Sequence, residues 1–489
     1  MRGIRKVSLE GINELKVNGV SADSRAVKKG EAFVCLRSMQ DGGEAYVNEA
    51  LSRGAVAVIT DKSFSLSDNS DKHVSVENVR SAYAKMLSAV YGEPSRGMKM
   101  IAVTGTNGKT TVTKMIESVL KADGKRCAVI GTLGASFEGE DTPISTMTTP
   151  DPDVLYRLLR SYADRGAEYV VMEASSHALA LNKLDGIVFD IGAITNMTAE
   201  HLDFHGNMDN YFCAKASLFD LCKKGVFLTD DYYTVEMYGL ARCERVSCSV
   251  KGAEADYKAE NIGYSFENGT IFSVLHRGCS FPLHSAIPAE FTVSNALLAF
   301  SVLTELGVRA DVIYKGIASL SGVDGRMQRL DVDADFTVLI DFAHTPDAIS
   351  KILTSVRGIK RRNGRIVTLF GCGGDRDKTK RSLMGAVASH LSDFVIVTSD
   401  NSRSEEPSEI IDQIMVGFDK SCPHARIDSR AEAIEYAILN AEKDDMILLL
   451  GKGHERYEIG KMGAVPFSEE EIVRAALKKR RNGGENSLC

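Results

Sequence analysis

The sequence predicts an α/β protein of three domains, and three observations lead there. Its 489 residues exceed what one hydrophobic core organises. From Met98 to about Ser321, and again from 322 to 489, short apolar runs alternate with helix-period segments, the pattern of parallel strands joined by crossover helices. Most of these strands end in glycine, hydroxyl or charged residues, and in open parallel sheets ligands gather at those ends. The expected division is 1–97, 98–321 and 322–489.

Composition narrows the function classes. The chain is 44% apolar and 26% charged, ordinary globular values. A net charge of −7 leaves no basic footprint for nucleic acid or an anionic membrane. No apolar stretch approaches the roughly 20 residues that span a bilayer. The first 15 residues carry basic side chains without the apolar core of a secretory signal, so a cytoplasmic protein without membrane insertion is expected. The ten cysteines lack metal-ligand spacing, Cys243 and Cys248 being too far apart for a CxxC pair, and free thiols are expected.

In the first domain, residues 32–36 and 54–60 read as buried strands and 46–51 as a helix. Ser24 and Arg25 follow Asp23 in a polar loop, either a plain surface turn or a contact for a phosphorylated ligand. Residues 91–97 form the linker to the second domain.

The second domain opens on IAVTGTNGKTTVT, residues 101–113. An apolar run meets a glycine turn, then Lys109 and Thr110 open a helix: a strand, a phosphate loop and a helix N-terminus in order. Gly105 and Gly108 let backbone N–H groups close on phosphate oxygens, Lys109 adds positive charge, and the Thr110 hydroxyl suits Mg²⁺. The loop is shorter than the general pattern, with two residues instead of four between its glycines, and Val103 stands where the first glycine usually falls. Residues 127–130 form a strand ending at Gly131, and Thr148-Thr149-Pro150-Asp151 begins a helix reaching Arg160. The strand 169–172 delivers Glu173 and then Ser175-Ser176-His177. The strand 189–194 delivers Thr195-Asn196, with Glu200, His201 and His205 beyond. Acid and imidazole beside a phosphate loop suit Mg²⁺–nucleotide chemistry, although such histidines are also ordinary core or surface residues. Lys215 falls on the next helix, where an exposed lysine is the plain alternative.

In the third domain, four strands deliver polar residues toward one crevice. The strand 336–340 leads to Asp341 and His344-Thr345-Pro346, and 365–370 leads to Gly374-Asp375-Arg376. The strand 394–398 leads to Asp400-Asn401-Ser402-Arg403, and 446–450 leads to Gly451-Lys452-Gly453-His454-Glu455. Arg326 follows a glycine turn. The basic tail from Lys478 is expected to fray.

These motifs, taken together and in this order over the full chain, resemble the Mur ligases, whose own phosphate loop is the shortened GTNGKTT found at 105–111. The resemblance implies a small N-terminal domain that binds a UDP-muramoyl substrate, a central ATP-binding domain and a Rossmann-like C-terminal domain that binds an amino acid. Within the family the motifs are most like those of the members that add the third amino acid. The implied substrates are UDP-N-acetylmuramoyl-L-Ala-D-Glu and ATP. Gly105, Thr106, Asn107, Gly108, Lys109, Thr110 and Thr111 would hold the ATP phosphates, with Asn295 near adenine and Arg326 and Asp341 reaching across from the third domain. Thr110, Glu173, His201 and Lys215 would hold Mg²⁺ at two sites, Lys215 carrying a carbamate derived from CO₂. Ser24, Thr148, Thr149, Ser175 and Lys183 would bind the UDP-muramoyl dipeptide, Lys183 standing where the family commonly has an arginine. Lys109, Glu173, His201 and Lys215 would thus carry the catalysis.

For the amino acid, the resemblance points to Arg376, Asp400, Asn401, Ser402, Arg403, Gly451 and Glu455. Members using meso-diaminopimelate typically carry Asp-Asn-Pro-Arg where this chain has Asp400-Asn401-Ser402-Arg403, while those using lysine generally lack the arginine. Diaminopimelate has a second carboxylate that an arginine fork binds, so it is the expected amino acid, with L-lysine the nearest alternative. Gly43 replaces a histidine, Glu200 an aspartate and Thr292 an asparagine of the family pattern. A P-loop switch that hydrolyses nucleotide for conformational work is the reading from another class, and a catalytically silent scaffold is a third.

Overall fold

The computed structural model describes residues 5–9, 12–64, 71–142 and 147–485. Three sheets with parallel cores follow one another along the chain. The first has four strands, Val20–Ser21, Ala32–Val34, Ala57–Asp61 and His73–Val76, paired in that order and all parallel.

The second sheet has eleven strands and centres on Lys99–Thr104. Alternate residues of that strand face opposite ways, as the two-residue period requires. Met100 and Ala102 join one apolar core, Ile101 and Val103 the other. Two helices cover the second face, Lys109–Ala122 and Glu290–Glu305, and both faces are buried, which is why the strand is apolar throughout. Lys99–Thr104 lies between Tyr169–Glu173 and Phe189–Ile194, with Glu173 opposite Val103 and Ile194 opposite Thr104. The chain leaving Thr104 therefore passes between the polar ends of its two neighbours.

The expected parallel sheet departs from expectation at both edges. Gly134–Phe137 with Glu140–Thr142 forms one antiparallel hairpin, and Tyr257–Ser265, Gly269–His276 and Cys279–Ser285 form an antiparallel meander at the other edge. Two of the turns have two residues, Glu138-Gly139 (φ 55° and 82°) and Arg277-Gly278 (φ 49° and 74°). Paired positive φ values match the twist of hairpin strands. Glutamate and arginine are unusual first residues there, so the sequence hides these turns.

The third sheet runs Gln328–Arg329, Thr337–Asp341, Met446–Leu450, Ile366–Phe370, Phe394–Val397 and His424–Arg426, parallel except for the first pair. Its strand ends are pinned by Arg430, which is fully buried. The Arg430 guanidinium donates to Ser399 O at 3.2 Å and Leu450 O at 2.8 Å and pairs with buried Glu469 at 2.7 Å. Against the expected fraying, the helix Glu469–Glu485 continues past Lys478, and residues 486–489 of the tail lie outside the described residues. Lys479 pairs with Glu435, Arg481 with Asp333, and Arg480 lies over Phe336 while donating to Ile438 O at 2.7 Å. The nine described cysteines are free thiols, and no described helix is long and apolar enough to cross a membrane.

Arg430→Met should destabilise the third domain by about 3–5 kcal/mol, because it leaves Glu469 charged and unpaired in the interior. Urea denaturation followed through a probe in this domain checks it, and an unchanged midpoint would mean that the pair is not holding the strand ends.

Candidate active site

The phosphate loop takes its shape from two glycines and a clamp. Gly105 has φ 138° and Gly108 φ 89°, both outside the range of side-chain-bearing residues. A Cβ at Gly105 would meet Thr195 Oγ1 at 1.9 Å, and one at Gly108 would meet Asn295 Oδ1 at 2.5 Å. Thr195 Oγ1 donates to Asn107 O at 2.6 Å, and Asn196 Oδ1 accepts from Asn107 N at 3.0 Å. The Thr106 hydroxyl bonds Thr198 O and lies 3.1 Å from the hydroxyl of Tyr211. Thr111 is buried at the start of the helix.

Positive charge faces this loop without carboxylate partners. Lys109 Nζ donates to the loop's own carbonyls, Gly105 O and Thr106 O, both at 2.9 Å. Burial pulls its ammonium below the usual lysine range, against the attraction of Glu200 and Glu173. Lys215 is 1% exposed, its Nζ 4.6 Å from the centre of the Tyr211 ring. Burial, and then the charge of Lys109, pushes the Lys215 ammonium well below its ordinary range. Arg326 comes from the third domain, donates to Thr110 Oγ1 at 3.3 Å and lies over the Phe342 ring at 4.8 Å. None of these three cations has an ion-pair partner among the described residues.

The acids are held in place around them. Glu173, 1% exposed, accepts from Thr132 N at 2.9 Å and from the Thr132 hydroxyl at 3.0 Å. A Cβ at Gly131 would come 2.3 Å from Glu173 Oε1, so this glycine makes room for the carboxylate. Glu200 lies 3.3 Å from His344 Nε2 and 3.7 Å from His201 Nε2. Burial pushes the Glu200 carboxyl up, but His344, His201 and Lys109 outweigh it and hold it well below the carboxylate range. His201 has φ 56°, a left-handed conformation uncommon for a side-chain-bearing residue, and its side chain is 42% exposed. Burial pushes the Asp341 carboxyl up against Arg326, while Met327 N and Ala343 N donate to it at 2.7 and 2.8 Å. A cavity of about 410 Å³ is lined by Thr110 and Glu173 and also by Leu320 and Asp324.

The remaining predicted residues fall into three groups. Thr149 donates to Glu173 O at 2.8 Å and accepts from Ser175 N at 3.0 Å, and the hydroxyls of Thr148 and Thr132 lie 3.3 Å apart, so these join the Glu173 end of the crevice. Lys183 is 7% exposed and pairs with Asp151 at 2.7 Å. Ser24 stays in the first domain, donating to Glu49 Oε2 at 2.6 Å. Gly43 leaves no room for the histidine of the family pattern, since a Cβ there would sit 2.7 Å from Ser38 O and 2.8 Å from Arg37 O.

In the third domain, Asn401 donates to Glu455 Oε2 at 2.7 Å. Arg403, at φ 51°, donates to Gly374 O at 2.8 Å, and Arg376 is exposed beside it. Asp400 is buried, and Ser402 is 8% exposed. Gly451, at φ 109°, is needed where a Cβ would lie 2.7 Å from Asp400 Oδ2. Sequence reasoning assigned no role to three further features: the Glu200–His344 pair, Asp347 Oδ2 accepting from Asn107 Nδ2 at 3.0 Å, and fully buried Lys452. The buried charges are readable as candidates only because a charge placed there requires a partner.

Two family models match the chain, the Mur ligase middle domain over residues 103–303 and the Mur ligase glutamate ligase domain over 325–453. A protein of Caldanaerobacter subterraneus subsp. tengcongensis, named UDP-N-acetylmuramoyl-L-alanyl-D-glutamate–2,6-diaminopimelate ligase, is 39% identical over 479 residues, covering 98% of each chain. This chain is a Mur ligase. A Clostridioides difficile protein of the same name is 35% identical, covering 98% of this Mur ligase and 99% of its own length. A solved structure described by that name superposes with a TM-score of 0.71 at 30% identity, covering 97% of this chain and 99% of its own. The ADP complex of a MurF ligase from Thermotoga maritima shares the fold, with a TM-score of 0.60 at 20% identity over 94% of this chain and 97% of its own.

Gly105→Ala should abolish nucleotide binding while leaving the circular dichroism spectrum unchanged, because the added methyl displaces Thr195 from the loop. Titration with a fluorescent ATP analogue checks it, and binding within twofold of the parent would refute the clamp.

Proposed function

We propose that this Mur ligase joins meso-2,6-diaminopimelate to the D-glutamate γ-carboxylate of UDP-N-acetylmuramoyl-L-Ala-D-Glu, driven by ATP, in peptidoglycan biosynthesis. The three sheets are taken as its domains, 1–97, 98–321 and 322–489. The observation that carries the amino acid is Arg403, half-buried in the crevice beside Arg376, with no carboxylate paired to it among the described residues. Two neighbouring guanidinium groups lacking an acid suit the second carboxylate of diaminopimelate, which lysine does not have.

The reaction follows from the cations and the seam between domains. The γ-carboxylate attacks the γ-phosphorus of ATP, forming an acyl phosphate and releasing ADP. Lys109 and the loop N–H groups offset charge on the phosphoryl oxygens, and Arg326 adds to them from the third domain. The free amine of the amino acid then attacks the acyl carbon, and inorganic phosphate leaves. Contacts across the seam from Arg326, His344 and Asp347 hold the third domain against the loop, which keeps water from the acyl phosphate.

The donors present fit Mg²⁺ and a lysine carbamate. Lys215 is buried with its pKa pushed down and has no ion-pair partner among the described residues, and the neutral amine is the form that adds CO₂. Among the described residues no three His, Cys, Asp or Glu side chains form a ready cage, which suits ions completed by phosphate and carbamate oxygens. Thr110, Glu173, His201 and carboxylated Lys215 would hold the ions, which when bound neutralise charge on the transferring phosphoryl group. Ser24, Thr148, Thr149, Ser175 and Lys183 would bind the UDP-muramoyl dipeptide, and Asn295 the adenine.

Phosphate release with ATP, Mg²⁺ and the UDP-muramoyl dipeptide should depend on meso-diaminopimelate. Release driven by L-lysine would overturn the reading of Arg403, and release without any amino acid would favour a nucleotide switch. Lys215→Ala should lose activity by about 100-fold or more, with partial recovery in added short carboxylates. Full activity in that variant would remove the carbamate from the mechanism. Arg403→Ala should raise the KM for diaminopimelate by about tenfold or more, as loss of a bidentate charged contact does. An unchanged KM would place the second carboxylate elsewhere.

A further inference from the structure

We infer that Lys452 is a positioning residue for the amino-acid crevice, its ammonium fixing the Asn401 amide and the neighbouring ribbon so that Glu455 and Arg403 face the incoming amino acid. The inference rests on the reading above that residues 400–403 and 451–455 receive that amino acid.

Lys452 lies between Gly451 (φ 109°) and Gly453 (φ 54°), both in backbone conformations that favour glycine. A Cβ at Gly453 would lie 2.7 Å from Phe342 Cβ, which leaves no room for another residue in that turn. The lysine is 0% exposed. Its Nζ donates to Asn401 Oδ1 at 3.0 Å and to Tyr457 O at 2.8 Å, with Asp400 at 3.7 Å and Glu455 at 3.8 Å.

An asparagine amide has one acceptor end and one donor end. Asn401 Oδ1 also accepts from Ile459 N at 2.9 Å, so two donors claim the oxygen. The amide nitrogen is left to Glu455 Oε2 at 2.7 Å. Ile459 N, Glu455 and Lys452 thus agree on one orientation of the amide, and Lys452, bonded to Asn401 Oδ1 on one side and Tyr457 O on the other, holds that amide and the Glu455 carboxylate in place. The same bonds draw in the ribbon formed by Tyr457–Gly460 and Gly463–Pro466. Ile459 O accepts from Arg403 N at 3.0 Å, which fixes the left-handed backbone of Arg403. One buried cation therefore orders both an acid and a base that flank the crevice, without facing the substrate itself.

The test is steady-state kinetics of the full-length Lys452→Met variant, which keeps the volume and removes the charge. KM for meso-diaminopimelate should rise at least tenfold, while KM for ATP and for the UDP-muramoyl dipeptide stays within twofold. Asn401→Asp is the second variant, since it keeps an acceptor for Lys452 but loses the donor to Glu455. It should give the same selective rise, and the double variant should be no worse than the poorer single one, because the lysine acts through the amide. Equal rises in all three KM values, an unchanged diaminopimelate KM, or multiplicative effects in the double variant would overturn the inference. If Lys452→Met does not fold, Asn401→Asp decides the point: its selective rise should persist and should not compound with Glu455→Gln. Arg403→Ala separates the levels. If it leaves the amino-acid KM unchanged, the crevice is misassigned and the inference falls with it; if KM rises there but not in Lys452→Met, only the inference falls.

Discussion

Uncompensated positive charge is the constraint on which this site depends. Lys109, Lys215 and Arg326 converge on the phosphate loop, and none has a carboxylate at ion-pair distance among the described residues. Burial makes a lone charge costly, so such an arrangement is stable only when a polyanion arrives or when a cation changes its chemical form. Lys109 and Arg326 suit the first outcome, and Lys215 suits the second. Glu200 and Glu173 both attract Lys109 from beyond ion-pair distance, and the pairing of Glu200 with His344 ties that acid to the third domain.

Placement follows from sheet geometry. Because Lys99–Thr104 runs parallel between Tyr169–Glu173 and Phe189–Ile194, one loop receives Glu173 on one side and Thr195 on the other. The third sheet repeats the arrangement, with Met446–Leu450 between Thr337–Asp341 and Ile366–Phe370. Where the strand ends alone do not suffice, the backbone is bent out of its ordinary range. His201 and Arg403 both sit at positive φ, which costs on the order of 1–3 kcal/mol each and persists only where neighbours enforce it. For Arg403 those neighbours are Gly374 O and Ile459 O.

Much of this is legible in the sequence. The fold class, the phosphate loop and the polar strand ends are visible because each is local: a run of apolar residues, then glycine, then charge. Family membership follows from many short motifs in a fixed order. Contacts between distant segments are another matter. Asp347 reaching Asn107, Glu200 reaching His344 and Lys452 reaching the Asn401 amide each join residues that no spacing rule relates. The antiparallel edges escape notice because Glu138-Gly139 and Arg277-Gly278 are not the usual hairpin pairs. The last helix continues past Lys478 against expectation because Lys479, Arg480 and Arg481 find acids and a ring on other elements. Gly43 shows the reverse: a departure from the family pattern that the nearby carbonyls of Ser38 and Arg37 require.

The apolar cores do not divide the chain where its sheets do. Residues of the first sheet, such as Val34 and Ile59, share one continuous core with Met100, Ala102 and Leu155 of the second. The third domain has cores of its own, meeting the second through Ile287 and Ala289, with Leu133, Phe266, Phe291 and Leu320 packed against them, and through polar contacts. Three sheets therefore make two mechanical bodies. A gene cut near residue 97 would split one continuous greasy interior, whereas a cut near residue 322 would part a smaller apolar seam and a set of polar contacts.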